Sequence, residues 1–204
     1  MNLMEQRQKN KETFRREILD AARELFSRDG YENFSMRKLA KRIEHSPTTI
    51  YLYFRDKDEI LFCLCEELFE ELYGELAALR HGGGKPLEIL RSALRMYVEY
   101  GVANPEHYKV AFFTSQTVYG SPHEYLANDT MSRRAYFYYR DLVAECSCSA
   151  QLRPMDADLL SQVLWAGVHG IVAAIIFTRD FPLVDTAELL ETMVDALMKG
   201  LKAD

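Results

Sequence analysis

Residues 46–54, Ser-Pro-Thr-Thr-Ile-Tyr-Leu-Tyr-Phe, carry two conflicting signals, and the choice between them decides what this chain can fold into. The β-branched and aromatic side chains favour a strand, whereas Ser46 followed by Pro47 is typical of a helix N-cap and first helical position. A strand here would have no partner of comparable β character within the next hundred residues, and an isolated strand is unstable. On a helix, Ile50 and Phe54 fall four residues apart on one side. We therefore predict a short helix that begins at Pro47.

Two helices are predicted before it. Residues 13–27 have apolar side chains at intervals of three and four, and Gly30 stands beyond them as a C-terminal stop. Ser35 is a suitable N-cap for a second helix over residues 36–43, whose outward face carries four cations. Glu44 and His45 make the tight connection to the third helix. The first quarter of the chain is therefore predicted to form three helices, the last two of them short.

Two short helices joined by a tight turn constitute a helix-turn-helix. The first is cationic, and the second exposes Thr and Tyr side chains. Hydroxyl groups and helix N-terminal amides donate to phosphate oxygens, while an Arg fork or a Thr methyl group reads base edges in the major groove. This chemistry predicts double-stranded DNA as the partner.

The distribution of charge supports a division of the chain into two parts. The net charge is −6, but residues 1–57 hold 13 Lys/Arg against 9 Asp/Glu, a net charge of +4, while the remainder is acidic. A basic first quarter followed by an acidic remainder is typical of a small nucleic-acid-binding module attached to another domain. Chance scatter of surface charge is the alternative explanation.

The same region resembles the N-terminal domain of the tetracycline-repressor family of bacterial transcriptional regulators, over residues 13–62. The spaced elements that carry the resemblance are residues 18–26 (ILDAARELF), Gly30-Tyr31, residues 34–40 (FSMRKLA), residues 46–54 (SPTTIYLYF) and residues 57–61 (KDEIL). The chain departs from the family pattern at Glu44, where the family usually has Gly, and at His45, where it usually has Val.

The resemblance implies roles for individual residues. Phosphate contacts are implied for Ser35, Thr49, Tyr51 and Lys57, and positions close to base edges for Arg37, Pro47, Thr48 and Leu52. Tyr53 is implied to serve either packing or a phosphate contact. For Tyr51 and Tyr53, simple surface packing is the alternative.

The rest of the chain is predicted to be helical as well. We predict an all-α fold of about nine helices, with a helix-turn-helix DNA-binding domain at residues 1–57 and a larger ligand-binding and dimerisation domain at residues 58–204. The predicted helices of the second domain cover residues 56–79, 86–102, 105–113, 123–146, 156–177 and 185–201. In the family that the first domain resembles, this second domain senses ligands and forms dimers.

An apolar stripe on the helix over residues 156–177 predicts a homodimer. Its members are Leu160, Leu164, Gly167, Ile171, Ala174 and Ile175. Small residues in the stripe let helices approach closely, so two copies of the last two helices suit a four-helix bundle. Packing within one chain is the alternative. A dimer would place two recognition helices about one DNA turn apart, which predicts a near-palindromic operator.

Aromatic residues of the second domain predict a site for a small, largely apolar or aromatic effector with one polar group. The candidate lining residues are Tyr97, Tyr108, Phe112, Phe113, Tyr136, Tyr139, Trp165 and His169. The Trp-x-x-x-His-Gly motif at residues 165–170 resembles the C-terminal signature of one tetracycline-repressor subgroup. Aromatic residues at helical spacing also form ordinary cores, so a core without a cavity is the alternative.

Other classes of function find little support. The chain has no phosphate-binding Gly pattern, no nucleophile elbow and no His/Cys cluster with metal spacing, so no enzyme activity, cofactor or metal site is predicted. The cysteines stand as Cys63/Cys65 and Cys146/Cys148. For the first pair, two residues along a helix turn the side chain by about 200°, which separates the two thiols, while the second pair near a helix end is the better candidate for redox sensitivity.

Localisation is predicted to be cytoplasmic. The N-terminal segment lacks the apolar region of a secretory signal, and the longest apolar run, residues 163–177, has 15 residues and is too short to span a bilayer. The function predicted from the sequence is a homodimeric, ligand-responsive transcriptional repressor. The alternative is a helical DNA-binding or interaction protein without a small-molecule effector.

Overall fold

The computed structural model describes residues 2–114, 118–178 and 180–203. Those residues are predominantly helical, and β pairing among them is limited to an isolated bridge between Leu152 and Lys202. In chain order the elements are α1 (Leu3–Asn33), α2 (Met36–Arg42), α3 (Pro47–Tyr51), α4 (Lys57–His81), α5 (Pro86–Ala103), α6 (Pro105–Lys109), a π-turn (Val110–Thr114), α7 (Pro122–Ala127), α8 (Met131–Cys148), α9 (Ala157–Phe177) and α10 (Thr186–Gly200). The predicted all-α fold is confirmed, with ten α-helices in the described part of the chain instead of about nine.

Side-chain caps explain where most of the helices start. Each cap oxygen accepts a hydrogen bond from a backbone N–H of the first turn, which would otherwise lack a partner. The caps are Ser35 for α2, Ser46 for α3, Asp56 for α4, Asp156 for α9 and Asp185 for α10. The predicted starts of α2 and α3 are confirmed, and those of the other three helices agree to within one residue.

The first helix differs from the prediction at both ends. It begins at Leu3, ten residues earlier than predicted, because Asn2 and Glu5 form a capping box. Gly30 does interrupt it, with φ +74°, but another helical turn follows as far as Asn33. Glycine adopts this left-handed backbone conformation without steric cost.

A second difference lies between residues 123 and 146, where one helix was predicted and two are found. Ser121 caps the short α7, and Thr130 caps α8 by accepting from the amide of Arg133 at 3.2 Å. Asn128, in an extended conformation, separates the two helices.

The described residues form two compact units. The first comprises Met1–Leu68 and Glu106–Asn128. Its core gathers apolar residues of α1 to α4 and of the segments that connect them, among them Ile18, Phe26, Leu39, Ile50 and Phe54. Val110 of the π-turn is 1% exposed in the same core, so the middle of the chain contributes to the body that contains α3. The predicted functional division after residue 57 stays a prediction.

The second unit comprises Phe69–Pro105 and Asp129–Asp204. In it α9 packs against α5, α8 and α10. Leu160 and Leu164 are fully buried. At Gly167, a Cβ atom would come within 2.7 Å of Leu197 Cδ1, so the absence of a side chain lets α9 and α10 approach closely.

By length and composition alone, α9 could cross a membrane, since it has 21 residues and is strongly apolar. The apolar run of residues 163–177 is shorter than α9, because the helix already begins at Ala157. The core helix of a soluble protein has the same properties. Val168 and Val172, like Leu160 and Leu164, are buried within the second unit, which is the behaviour of a core helix.

Candidate nucleic-acid interface and effector site

The face of α3 that points away from the core is polar and aromatic. Ile50 is fully buried beneath the helix, while Thr48 is exposed and Tyr51 is 54% exposed. Leu52, which ends the helix, is 76% exposed. The Ser46 hydroxyl accepts from the amide of Thr49 at 3.1 Å and lies 2.8 Å from the Thr49 hydroxyl. This arrangement displays one phenol, hydroxyl groups and one exposed leucine on a rigid, capped turn.

The preceding helix adds cationic groups. Ser35 is engaged as the cap of α2 and accepts from the amide of Lys38 at 3.2 Å. Arg37, in the first turn of α2, is exposed. The Lys38 amino group donates to the carbonyl of Asn33 at 2.8 Å and therefore folds back onto the end of α1.

Lys57, at the start of α4, is held by an aromatic ring. Its Nζ lies 3.7 Å from the centre of the Tyr31 ring and donates to the Tyr31 carbonyl at 3.3 Å. The Tyr31 hydroxyl donates to Asp58, and this hydrogen bond, together with burial, raises the pKa of Tyr31 to about 12. Tyr31 therefore stays protonated at neutral pH and orients the lysine that begins α4.

Tyr53 packs against the first helix. Its ring meets that of Phe14 edge to face at a centroid distance of 5.0 Å. Phe14 also meets the ring of His45, in the turn before α3, at 4.6 Å. Edge-to-face pairs stabilise by about 1 kcal/mol each. These contacts favour the packing role for Tyr53.

The turn between α2 and α3 contains a backbone conformation that is costly for its residue. Glu44 has φ +57°, in the left-handed region that favours glycine. Its side chain is exposed. Glu44 therefore adopts an unfavourable backbone conformation at the position where the family pattern usually has Gly.

Five of the eight residues proposed to line an effector site lie in the second unit, and three of them form a hydrogen-bonded group. The Trp165 indole Nε1 donates to the Tyr97 hydroxyl at 3.0 Å, and that hydroxyl lies 3.1 Å from Nδ1 of His169. Because the indole is only a donor, the Tyr97 oxygen accepts from it and its own proton is available to His169 Nδ1. Burial lowers the pKa of His169, so the imidazole is neutral at pH 7.

The other two residues of this set lie on α8. The Tyr136 hydroxyl donates to Asp158 at 2.9 Å, and Asp158 also receives both arms of the Arg140 guanidinium. The Tyr139 hydroxyl donates to the Ser161 carbonyl at 3.3 Å, and burial raises the pKa of Tyr139. The polar atoms of this aromatic cluster are therefore paired with partners that fix their orientation.

The remaining three candidates belong to the first unit. Tyr108 is 1% exposed and its ring lies 4.7 Å from that of Phe112. Phe113 is 49% exposed. The eight candidates are thus divided between the two compact units, five in the second and three in the first.

The residues predicted for a dimer interface lie on the inner side of α9. Leu160, Leu164 and Ile171 are buried within the chain itself, so they pack in its core instead of facing a partner. Gly167 does permit a close helix approach, but to Leu197 of the same chain. Ala174 and Ile175 are half-buried. The alternative of packing within one chain therefore holds for these first four residues.

A different stripe of the same helix is exposed. Leu159, Val163 and Phe177 are 51%, 38% and 48% exposed. Ala166 and Gly170 lie between them and are exposed too. Nothing lies within 4 Å of the position where Gly170 would carry a Cβ atom.

The cysteines and the other potential metal-ligating residues were predicted to form no metal site. Within residues 2–114, 118–178 and 180–203, no three side chains of His, Cys, Asp or Glu come together in a way that could hold an ion. Burial raises the pKa of the Cys65 thiol to about 12 and that of Cys146 to about 11, which makes both poor nucleophiles.

Comparison with known protein families agrees with this geometry. A family model described as "Bacterial regulatory proteins, tetR family" matches residues 18–63, the segment that contains α2 and α3. A second model, "Tetracyclin repressor-like, C-terminal domain", matches residues 90–197, more than half of the chain. The chain belongs to the tetracycline-repressor family. This family consists of regulatory proteins, which confirms the prediction that the chain is not an enzyme.

Individual members of the tetracycline-repressor family are distant in sequence. The chain is 27% identical over 146 residues to the HTH-type transcriptional regulator HbdR of an Aromatoleum strain, a match that covers 72% of this chain and 63% of that regulator. Two solved structures, the fatty acid degradation regulator FadR from Bacillus halodurans and FadR from Bacillus subtilis in complex with stearoyl-CoA, superpose with TM-scores of 0.74 and 0.73. They are 19% and 18% identical, and the superpositions cover 93% and 90% of this chain and 97% of each of those chains, which shows a shared fold.

Two residues that position others are not identifiable from the sequence pattern. The ring of Tyr31, which belongs to the family pattern, holds Lys57. Phe14, on the first predicted helix, contacts the turn before α3. Neither contact follows from spacing along the chain, because each joins residues more than twenty positions apart.

Proposed function

We propose that the chain is a homodimeric transcriptional repressor of the tetracycline-repressor family, which binds a near-palindromic operator and is released by a small, largely apolar effector. The observation that carries the DNA-binding part is the outward face of α3. A capped helix with Thr48 and Tyr51 exposed over a buried Ile50 has the form of a recognition helix. Such a protein acts in the cytoplasm.

The proposed DNA contacts divide into two groups. Tyr51 and Lys57 bind phosphate oxygens, while Arg37, Thr48 and Leu52 face base edges. The exposure of Tyr51 and Leu52 supports their availability to DNA, since neither side chain is needed by the core. Pro47 and Thr49 lie at the first turn of α3, close to where its amides meet the DNA backbone. Ser35 contributes to DNA binding by capping the N-terminus of α2.

We propose that the exposed stripe of α9 and the neighbouring face of α10 together form the dimer interface. Leu159, Val163 and Phe177 supply apolar area, and the bare Cα of Gly170 allows close approach of a partner helix. On α10, Ala196 is exposed and Met193 is half-buried. Of the residues first considered, Gly167, Ala174 and Ile175 are partly exposed, whereas the other three are buried.

We propose that the aromatic cluster around Tyr97, Trp165 and His169 forms the effector-binding site. Its fixed hydrogen bonds leave a neutral imidazole as a polar group within an aromatic lining. This adjacency also supports membership in the subgroup with a Trp-x-x-x-His-Gly signature. A regulator of similar fold was crystallised with stearoyl-CoA, so fatty acyl-CoA esters are the first effectors to test.

The proposed mechanism is a shift of population between conformations whose recognition helices do or do not match the groove spacing. An effector can act only through a difference in its affinity for these conformations. We propose that α4 carries the coupling, because it contributes residues to both compact units.

The test is selection of genomic DNA fragments by the purified protein, followed by binding measurements on the retained sites. Tyr51→Ala should weaken binding about tenfold for each bound subunit, the effect of losing one hydrogen bond to a charged group, roughly 1.5 kcal/mol. Tyr51→Phe removes only the hydroxyl and should have the same effect. Lys57→Met, which keeps the apolar stem against Tyr31, should also weaken binding.

Far-UV circular dichroism of each variant serves as the control for folding. Retention of near-palindromic sites by the wild type, with weaker binding by these three variants, supports the proposal. Binding without any sequence preference, or affinity that the variants leave unchanged, contradicts it. An acyl-CoA ester that leaves operator affinity unchanged is not the effector.

A further inference from the structure

We propose that the first ten residues of α1 form a helical arm that adds DNA phosphate contacts through Arg7 and Lys11. The N-terminal arm, residues 3–12, precedes the segment matched by the regulatory-protein family model, which starts at residue 18. The inference rests on the proposed DNA-binding function and extends it to a part of the chain to which no role is assigned.

The arm is a helix stabilised by its own side chains. The Asn2 side chain accepts from the amide of Met4 at 3.2 Å, and Glu5 accepts from the amide of Asn2 at 2.8 Å. Along the helix, Gln6 donates to Asn10 at 3.0 Å. Capping and pairs four residues apart both favour a helix at its first turns. The arm therefore holds its helical shape without burial in the core.

The helical phase of α1 places two cations on the side that faces α3. Phe14 marks that side, because its ring contacts both His45 and Tyr53, which flank α3. Arg7 and Lys11 precede Phe14 by seven and three residues, so all three fall within about 60° of one another around the helix axis. With a rise of about 1.5 Å per residue, Lys11 lies about 4.5 Å and Arg7 about 10 Å beyond Phe14.

The carboxylates of the arm lie on its other side. Glu5 and Glu12 are each about 140° or more from Arg7 around the axis. Both are engaged locally, Glu5 with the Asn2 amide and Glu12 with the Gln8 side chain at 2.6 Å. The positive potential on the side of α3 is therefore not neutralised by acidic residues of the arm itself.

Arg7 and Lys11 also differ from the arginines that follow them. Arg15 donates to Cys63 at 3.1 Å and lies over the Phe54 ring, and Arg16 forms an ion pair with Glu67 at 3.0 Å. Across the described segments of the chain, no ion pair involves Arg7 or Lys11. Both side chains are exposed. Their charges are therefore available to an external anion.

The partner that fits is the phosphate backbone that flanks the groove occupied by α3. Two flexible cations on an exposed helix can reach phosphates but have no shape with which to read bases, so they add affinity and salt dependence without sequence preference. Each phosphate neutralised contributes a slope of about −0.9 to the dependence of log K on log salt. At 0.15 M salt, one such contact strengthens binding about fivefold for each bound subunit.

Lys9 supplies a matched control. It lies on the same exposed arm, two residues from Lys11, but about 160° away around the axis. Lys9→Gln and Lys11→Gln remove the same charge and keep a residue of similar helix propensity. Any effect of net charge alone, or of a weakened helix, is common to both variants.

The experiment measures operator affinity of the full chain over a salt series, with far-UV circular dichroism of each variant. Lys11→Gln should make the salt slope shallower by about 0.9 for each bound subunit, and Arg7→Gln/Lys11→Gln by about 1.8, whereas Lys9→Gln should keep the wild-type slope. Equal slopes for Lys9→Gln and Lys11→Gln, whether both changed or both unchanged, overturn the proposed contact. Absence of operator binding by the wild type overturns the proposed function instead, and the arm contact with it.

Discussion

Glu44 offers a sharp test of how the turn of the helix-turn-helix is built. Its φ of +57° places a residue with a side chain in the left-handed region, which costs about 1–2 kcal/mol for an L-residue other than glycine. Glycine at this position removes that cost but gives the unfolded chain more freedom, which offsets roughly 0.4–1 kcal/mol. Glu44→Gly is therefore expected to raise the free energy of unfolding by roughly 0.5–1 kcal/mol, or the melting temperature by about 1–4 °C.

The same substitution removes a negative charge next to the proposed recognition helix. Operator binding should strengthen, and the salt slope should become steeper, because the carboxylate opposes phosphate approach. Glu44→Gln separates the two effects, since it removes the charge and keeps the Cβ atom. It should match Glu44→Gly in the salt dependence of DNA binding and match the wild type in thermal stability.

Thermal unfolding without DNA, followed by circular dichroism, measures the backbone contribution. Fluorescence anisotropy with a labelled operator over a salt series measures the charge contribution. If Glu44→Gly is no more stable than Glu44→Gln, the left-handed conformation carries no cost at this position and the reasoning from backbone strain fails. If both variants bind the operator as the wild type does, Glu44 is remote from the phosphates.

Two further predictions concern the second unit. Because burial lowers the pKa of His169 from its ordinary value of 6.5, protonation favours the unfolded chain, so the stability is complete above pH 6.5 and declines as pH falls through the lower folded-state value. The control variant is His169→Asn, which keeps an acceptor near the Tyr97 hydroxyl but does not titrate. In urea unfolding at pH 7.5, 6 and 5, the free energy of unfolding of the wild type should fall relative to that of His169→Asn. A difference between the two free energies that stays constant with pH would contradict this. Val163→Glu on the exposed stripe of α9 should dissociate the proposed dimer, as measured by sedimentation equilibrium. Leu126→Glu, at another exposed apolar position, should leave the dimer intact. An intact dimer of Val163→Glu would place the interface elsewhere.

Local signals predicted helix starts better than helix ends or partners. Ser46 followed by Pro47 outweighed the β-branched and aromatic residues that follow, because a cap acts on its own helix whereas a strand needs a neighbour. The early start of α1 was missed because residues 3–12 have no apolar stripe, although the Asn2 and Glu5 capping pair was visible in the sequence. The π-turn after Lys109 had no recognised signal at all.

The dimer stripe shows where periodicity stops being informative. Helix α9 has two apolar stripes, one with Leu160 and Leu164 and one with Leu159 and Val163. A period of 3.6 residues identifies which side chains share a face, but it does not say which face meets the core of the same chain. Only the packing of α5, α8 and α10 around α9 decides that, and this packing depends on contacts far apart in sequence.

The segments that make up the first unit suggest how effector binding is transmitted to the DNA-binding helices. The segment Glu106–Asn128 belongs to the same compact unit as α1, α2 and α3, with Val110 in the core beside Ile18 and Phe26. Within that unit, the Tyr119 hydroxyl donates to Glu66 of α4 at 2.9 Å, and the Tyr119 ring meets that of Phe62 at 5.7 Å.

Three of the residues that the sequence predicts for an effector site, Tyr108, Phe112 and Phe113, lie in this same segment. A ligand that moved them would act inside the compact unit whose core holds α3, without a signal that has to travel along the whole of α4. Close packing makes such a core respond in discrete rearrangements instead of gradual ones. The coupling proposed for α4 therefore has a shorter parallel route within the first unit, where the π-turn that carries Phe112 and Phe113 packs against α1.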